Sequence, residues 1–328
     1  MMKSPNPSIE ALPGNIMADV LSRLPVKTII HCKCVCKNWR ELVSDSYFVN
    51  LHISRLPAGV MIHENCHFEV KPGIMKWLEI KGEVDDTRLH HDFVTLFDLS
   101  LAPALQNSNI CQVGSVNGLI CLWKYASNHD NIYICNPITR EYMILPRQQY
   151  HTEKSYAAIY YSFGVGLLTK EYKVIRIFQP SQAQNLEVYT LGTGQWRRVG
   201  HVPYLLNESY GPYVNGCAHW IFCGRDSPKE LYAFDFDNET FSFFPSPPSE
   251  EIIGRQILGV INGCLSMGVT SDLKFTIWVM KEYGIRKSWH KEAVFKQSMD
   301  LLIGEPVTGL FGLEDGTIWL FFREAVCW

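Results

Sequence analysis

The sequence predicts an α+β chain in two parts: a small three-helix piece over about residues 8–53, then an all-β region over about 58–328. Residues 1–7 read as a disordered leader. Three observations predict this. The stretch LPVKTIIHCKCVCKNWRELV, residues 24–43, reads as helix, breaker and helix. From about residue 58 the hydrophobic period changes to short alternating runs bounded by turn residues. A hairpin signal then returns about every 50 residues.

In the helical piece, Asn15 is placed to cap a first helix whose apolar positions are Ile16, Met17, Val20, Leu21 and Leu24, spaced for one face. Pro25 disfavours helical geometry at Leu24 and ends that helix. A second short helix carries Val26, Ile29 and Ile30. A third sets Val35, Trp39, Leu42 and Val43 on one stripe, with Lys37, Arg40 and Glu41 facing out. Three such helices cannot bury this much apolar surface among themselves, because so small a domain is marginal. The rest of the chain or a partner must cover the stripe. Cys32, Cys34 and Cys36 are two apart, so on a helix they point in three directions instead of converging as zinc ligands do. Residues 8–55 hold six Lys/Arg against four Asp/Glu, a weak footprint for a DNA-reading helix pair.

In the β region, Asn117-Gly118, Asn215-Gly216, Asn262-Gly263 and Asp315-Gly316 each sit between two apolar runs, the strongest short hairpin signal. The slot near residue 166 holds a looser hairpin, FGVGLLTKEYKVIRIF. After each hairpin come further strands, as in NIYICNP and YMILP, NLEVYTLGTGQWRRVG, ELYAFDFDNETFSFFP and FTIWVMKEYGIRKSWHKEAVF. Four strands per unit at this period read as kelch-like propeller blades, about five or six of them. The last unit reaches Trp328 after two strands, and strands within 59–101 are expected to complete it and close the ring.

The helical piece resembles the F-box motif, particularly of plant F-box proteins. The matching features are Leu12-Pro13, the Leu24-Pro25-Val26-Lys27 turn, Cys34-Val35-Cys36-Lys37 followed by Trp39-Arg40, and Ser44-Asp45 before Phe48. Gly14-Asn15 stands where an acidic residue is common. The β phrases SVNGLICL, CNPITREYMILP, KEYKVIRI, LEVYTLGTGQWR, VNGCAHWI and WVMKEYGIRKSW resemble, in order, the F-box-associated domain over roughly residues 110–295. The resemblance implies a substrate-recognition subunit of an SCF-type cullin–RING ubiquitin ligase. Its helical piece would dock on a Skp-type adaptor, and through it on cullin and RING subunits, while the propeller binds a target protein for degradation. Adaptor contacts implied by the motif are Leu12, Pro13, Ile16, Val20, Leu21, Leu24, Pro25, Val26, Ile29, Val35, Cys36 and Trp39.

Composition agrees with an intracellular adaptor of the cytoplasm or nucleus. The 328 residues are 47% apolar, so a packed core is expected. A net charge of −3 makes no electrostatic case for nucleic acid. No apolar run approaches the ~20 residues of a membrane helix, and the leader has no apolar run of a signal peptide. Eleven cysteines, an odd number, read as reduced thiols.

No catalytic residue, metal ligand or cofactor is predicted. HENCH, His63–His67, fits the spacing of zinc metalloproteases, but its β-branched surroundings between Gly59 and Pro72-Gly73 favour a strand. There the two histidines would lie about 13 Å apart, too far to share one zinc. Asp235 and Asp237 share a strand face but lead into the Asp-Asn-Glu-Thr turn. EDGTIW lacks the leading Ser of a sialidase Asp-box, and Gly164-Val165-Gly166 lacks the rest of a dinucleotide fingerprint. Asn207 and Asn238 head glycosylation sequons, which matter only in a secreted chain. Trp123, Trp196, Trp220, Trp278, Trp289 and Trp319 fall on or beside strands and read as blade core. The alternative, a propeller enzyme or lectin with a helical leader, needs a titratable cluster converging from several blades. Target-binding loops are expected within 147–155, 201–212, 249–255 and 296–306.

Overall fold

The computed structural model describes residues 12–55, 59–64, 74–79, 93–98, 110–124, 131–136, 141–147, 158–179, 185–200, 202, 211–222, 230–248, 254–271, 274–296, 307–312 and 318–322. The chain separates into two compact units, one holding the helices and the other the sheets from residue 110 onward. No described helix is long and apolar enough to cross a membrane.

The described helices are four, α1 (Gly14–Leu21), α2 (Val26–Cys32), α3 (Lys37–Ser44) and α4 (Ser46–Ile53). Two begin the same way. Pro13 and Pro25 stand at the N-caps of α1 and α2, with φ of −55° and −56° and ψ of 143° and 142°. Their carbonyls accept the first helical bonds, from Met17 and Ile29 N–H at 3.0 and 3.1 Å. Asn15 therefore does not cap α1. The proline ring fixes φ, and the helix starts two residues earlier than a side-chain cap at Asn15 requires. Cys36 caps α3, its Sγ accepting from Trp39 N–H at 3.4 Å. This leaves Val35 ahead of the helix instead of on its stripe. The expected third helix is in fact two. Asp45 adopts ψ 140° and its Oδ1 accepts from Tyr47 N–H at 2.8 Å, an Asx-type break before α4.

The helices close a small core of Met17, Ala18, Leu21, Ile29, Cys32, Val43 and Phe48, with Leu24, Trp39 and Leu42 half-buried around it. Two polar ties join the end of α4 to the end of α1. His52 Nδ1 donates to the Ser22 carbonyl at 2.9 Å, and the Arg55 guanidinium donates to the Asp19 carbonyl at 2.9 Å.

The β region is a succession of sheets. β1 (Gly59–Glu64), β2 (Ile74–Glu79) and β3 (Phe93–Asp98) form a three-stranded sheet. Four-stranded units follow, each ordered as in the chain. They are β4 (Ile110–Val116), β5 (Leu119–Lys124), β6 (Asn131–Asn136) and β7 (Glu141–Ile144); then β8 (Ala158–Val165), β9 (Tyr172–Gln179), β10 (Asn185–Thr190) and β11 (Trp196–Gly200). Next come β12 (Tyr213–Val214), β13 (Cys217–Phe222), β14 (Glu230–Asp235) and β15 (Thr240–Phe244). The last is β16 (Arg255–Ile261), β17 (Cys264–Ser271), β18 (Lys274–Met280) and β19 (Trp289–Lys296).

Asn117-Gly118, Asn215-Gly216 and Asn262-Gly263 all have positive φ at both residues, as a two-residue hairpin turn requires. Asp315-Gly316 lies outside the described residues, but the strands beside it, β20 (Val307–Gly312) and β21 (Ile318–Phe322), pair antiparallel. These two strands correct the expected closure. β20 pairs in parallel with β16, Val260 opposite Phe311, while β1–β3 pair among themselves. The free edge of β16 offers unpaired N–H and C=O groups, and a hairpin satisfies them without regard to the sequence period.

The cores lie between successive sheets. Val113, Cys121, Ile132 and Ile134 of the first meet Tyr161, Phe163, Val174 and Tyr189 of the second. Ile175, Ile177, Leu186 and Val188 meet Trp220, Phe222, Phe234 and Phe236. Ile221, Leu231 and Phe244 meet Leu265, Met267, Trp278 and Trp289. Neighbouring residues such as Trp220 and Ile221 thus feed two different layers. This explains why AHWIF and FTIWVM read as continuous apolar runs. A repeated tie joins the outer strands: Trp196 Nε1 donates to the Pro146 carbonyl at 2.8 Å, and Trp289 Nε1 to the Pro245 carbonyl at 2.9 Å.

Candidate functional site

The helical unit leaves apolar surface uncovered after its own core is closed. On α1, Met17, Ala18 and Leu21 point inward, while Ile16 and Val20, four residues apart, remain 46% and 45% exposed. Leu12, a further four residues back, is 44% exposed, and Val35 in the α2–α3 turn is 61% exposed. A helix that needed only its own core would carry polar residues on the outward arc. The flanking charges engage one another: Asp19 pairs with Arg23 and Arg55, and Lys37 with Glu41. Hydrogen bonds from Arg55 and Arg23 hold the Asp19 carboxyl below the usual carboxylate range.

The residues implied by the motif divide accordingly. Leu12, Pro13, Ile16, Val20, Pro25 and Val35 are exposed. Leu21 and Ile29 are buried in the unit's own core and so support the surface from beneath, because a closed core needs the inward arc of each helix. Leu24, Cys36 and Trp39 are half-buried, and the Val26 side chain lies outside the described residues. Tyr47 and Val49 on α4 are also exposed, though the motif does not name them. The signal for α4 was Asp45, whose break leaves Ser46 as the first residue of a new helix and Tyr47 as its second.

In the sheet region one polar candidate, Asp235, holds its own turn and the other, Asp237, ties sheet to sheet. Asp235 Oδ1 accepts from Asp237 and Asn238 N–H at 2.7 and 3.1 Å, and Asn238 Nδ2 donates to Asp235 Oδ2. Asp237 reaches the preceding sheet. Its carboxylate accepts from Leu168 N–H, Thr169 N–H and Thr169 Oγ1 at 3.0, 2.8 and 2.8 Å. Burial pushes this carboxyl up, but the Thr169 and Leu168 hydrogen bonds outweigh it and hold the pKa at about 2. Gly164 and Gly166 serve the same approach: a Cβ would come within 2.4 Å of Phe236 at the first and 2.2 Å of Asp237 Oδ1 at the second.

Two buried polar groups also cross between sheets. Lys173 Nζ donates to the Phe236 carbonyl at 2.8 Å and pairs with Glu239 and Glu171 at 2.9 and 3.1 Å. His219, wholly buried, sits between the Pro212 carbonyl at 3.2 Å and the Tyr283 hydroxyl at 2.9 Å. Burial lowers its pKa to about 4. A histidine held this way is a neutral strut.

His63 and Glu64 end strand β1, whereas Cys66 and His67 lie outside the described residues. So do Asn207, the Asp315-Gly316 turn and most of the four expected target loops.

A small helical unit with an apolar outer arc, joined to a run of four-stranded antiparallel sheets packed face to face, defines a two-part protein with a helical module and a β-propeller-like body. The comparisons agree on both parts. Residues 9–51 match the F-box domain, and residues 86–306 match the F-box associated beta propeller domain. The chain belongs to the F-box proteins with an F-box associated beta propeller domain. Among its relatives, the Arabidopsis thaliana F-box protein At3g07870 is 28% identical, over 97% of this chain and 84% of its own. The F-box/kelch-repeat protein At3g23880 of the same plant is 26% identical, over 85% and 78%. F-box protein CPR1, also from Arabidopsis thaliana, is 23% identical, over 85% and 72%.

Proposed function

We propose that the chain is a substrate-recognition subunit of an SCF-type cullin–RING ubiquitin ligase. The helical unit binds a Skp-type adaptor, which brings the cullin and RING subunits, and the sheet region holds a target protein for ubiquitination and degradation. The chain itself acts as an adaptor and needs no cofactor. It works in the cytoplasm or nucleus, where its reduced cysteines are at home.

One observation carries this reading: Leu12, Ile16, Val20 and Val35 stay exposed although the F-box helices close a core without them. Covering one such side chain is worth roughly 1.5–3 kcal/mol. An adaptor with an apolar groove gains that on binding, and water leaves it unrealised.

The test is co-purification of the full chain with recombinant adaptor. An Ile16→Ser, Val20→Ser double variant is expected to lose tenfold or more in affinity while melting like the parent. Leu21→Ala, by contrast, is expected to destabilise the helices, by about 2–5 kcal/mol for a core leucine. Full affinity in the folded double variant would sink the assignment.

A further inference from the structure

The four-stranded units open on hairpins, and three of these are minimal. Val116 pairs with Leu119, Val214 with Cys217 and Ile261 with Cys264, leaving Asn-Gly as the whole connection. The β8–β9 hairpin is different. Val165 pairs with Tyr172, so Gly166–Glu171 stand where two residues suffice elsewhere. At the summit Leu168 is 85% exposed and Leu167 43% exposed. A longer loop costs more to close, and an exposed leucine gains nothing from burial, so Leu168 at the summit is not accounted for by folding.

The turn is nevertheless held firmly. Besides the three hydrogen bonds to Asp237, Gly166 N–H donates to the Glu171 carbonyl and Lys170 N–H to the Gly166 carbonyl, both at 3.1 Å. Lys170 takes a left-handed conformation, φ 57°. Leu167 packs against the neighbouring turn, where a Cβ at Gly216 would meet it at 2.8 Å. The loop is already ordered, so binding through it costs little conformational entropy.

The charges around the summit are unevenly used. Asp237 is engaged by the turn, Glu171 by Lys173, and Glu239 by Lys173 and Arg197. Lys170 is exposed and makes no ion pair among the described residues. A convex apolar knob beside a free ammonium is complementary to an apolar pocket with a carboxylate on its rim.

The geometry points to the β8–β9 turn as a contact for the target protein, with Leu168 entering an apolar pocket on that protein and Lys170 meeting a carboxylate at the pocket's edge. This rests on the substrate-recognition reading above and adds where the target is held. It also moves the contact from the connections between sheets to the opposite end of the strands.

The test uses the full chain, expressed in cells with the proteasome blocked, carrying a photo-crosslinking side chain at position 168 or, as control, at Asn262 in a minimal turn. Target and adaptor are quantified in the same eluate for the parent, Leu168→Asp, Leu168→Met and Lys170→Glu. Proteins that cross-link from position 168 are identified first. Their co-purification with chains lacking the cross-linker is then expected to fall at least tenfold with Leu168→Asp and severalfold with Lys170→Glu relative to the parent, and to be kept by Leu168→Met. Equal recovery with Leu168→Asp, or capture of the same proteins from position 262, would overturn the assignment. Cross-linking of the chain to itself from position 168, together with a self-association that Leu168→Asp abolishes, would make the occupant a second copy, and would overturn it too. Should Leu168→Asp not fold, Lys170→Glu decides. Adaptor recovery reports on the helical unit separately: its loss in the parent would defeat the ligase reading, while the Leu168 contrast still decides this one.

Discussion

The helical unit and the sheets use the same aliphatic residues to opposite ends. On the inner strands of the sheets both faces are consumed: Trp220 and Phe222 enter the layer shared with β9 and β10, and Ile221 between them enters the layer shared with β17 and β18. The outer strands β7 and β15, by contrast, leave Ile144 and Phe243 exposed. On α1 only one arc is consumed. Met17, Ala18 and Leu21 go inward, and Ile16 and Val20 remain outside. A strand in a stack has a neighbour on each side, whereas a helix at the edge of a four-helix unit has one. An apolar residue on an inner strand therefore reports on stability, whereas on a helix its arc decides whether it closes the core or stays exposed.

The sharpest way to break this comparison is to truncate one side chain from each class. Phe234 is completely buried and touches Phe236 and Phe241, with ring centroids 5.4 and 5.1 Å away. Phe234→Ala is expected to cost the sheet region about 3–5 kcal/mol in urea unfolding, the range for a buried phenylalanine. Ile16→Ser should stay within about 0.5 kcal/mol of the parent, as surface changes do. Similar losses for both would erase the distinction.

A somewhat smaller effect comes from the buried strut. His219 has a folded-state pKa of about 4, against about 6.5 for an unfolded histidine. The unfolded chain therefore takes up the proton first. The stabilising contribution of neutral His219 is complete above about pH 6.5 and is lost as pH falls towards 4, on the order of 3 kcal/mol in all. His219→Phe should flatten that slope in urea titrations between pH 7 and 4. An unchanged slope would show that other groups govern the acid sensitivity.

The smallest effect is expected at the clasp between turns. Asp237→Asn weakens three hydrogen bonds made to a carboxylate, and a loss of about 1 kcal/mol is expected. With the folded pKa at about 2, below the ordinary aspartate value of about 3.9, the clasp is intact above that value and fails as pH drops through about 2. It thus lies outside the window of His219. Hydrogen exchange at Leu168 and Thr169 amides should quicken in Asp237→Asn; unchanged protection would mean the turn holds itself.

Much of this was legible in the residues because it depends on local chemistry. Asn-Gly between apolar runs tolerates positive φ at both positions, so Asn117-Gly118, Asn215-Gly216 and Asn262-Gly263 announced their hairpins and the repeat. Leu24-Pro25 announced a boundary, since proline restricts the residue before it, but α1 ends at Leu21, ahead of Leu24, and Pro25 instead stands at the N-cap of α2. The same local logic placed Asn15 and Val35 wrongly, because a proline cap and a cysteine cap compete with side-chain propensities that sequence spacing alone does not rank.

What only the tertiary structure decided are contacts between residues far apart in the chain. Asp237 and Thr169 are 68 residues apart, and no periodicity links them. Nor does any local signal tell that Gly166 leaves room for that carboxylate, that His219 meets Tyr283, or that β20 lies along β16 and not beside β1–β3. Hydrophobic pattern states that a residue will be buried; which surface buries it depends on sheets formed elsewhere. For α1 the pattern showed an apolar helix, and only the closed core of Met17, Leu21 and Phe48 separated Ile16 and Val20 from it as exposed residues.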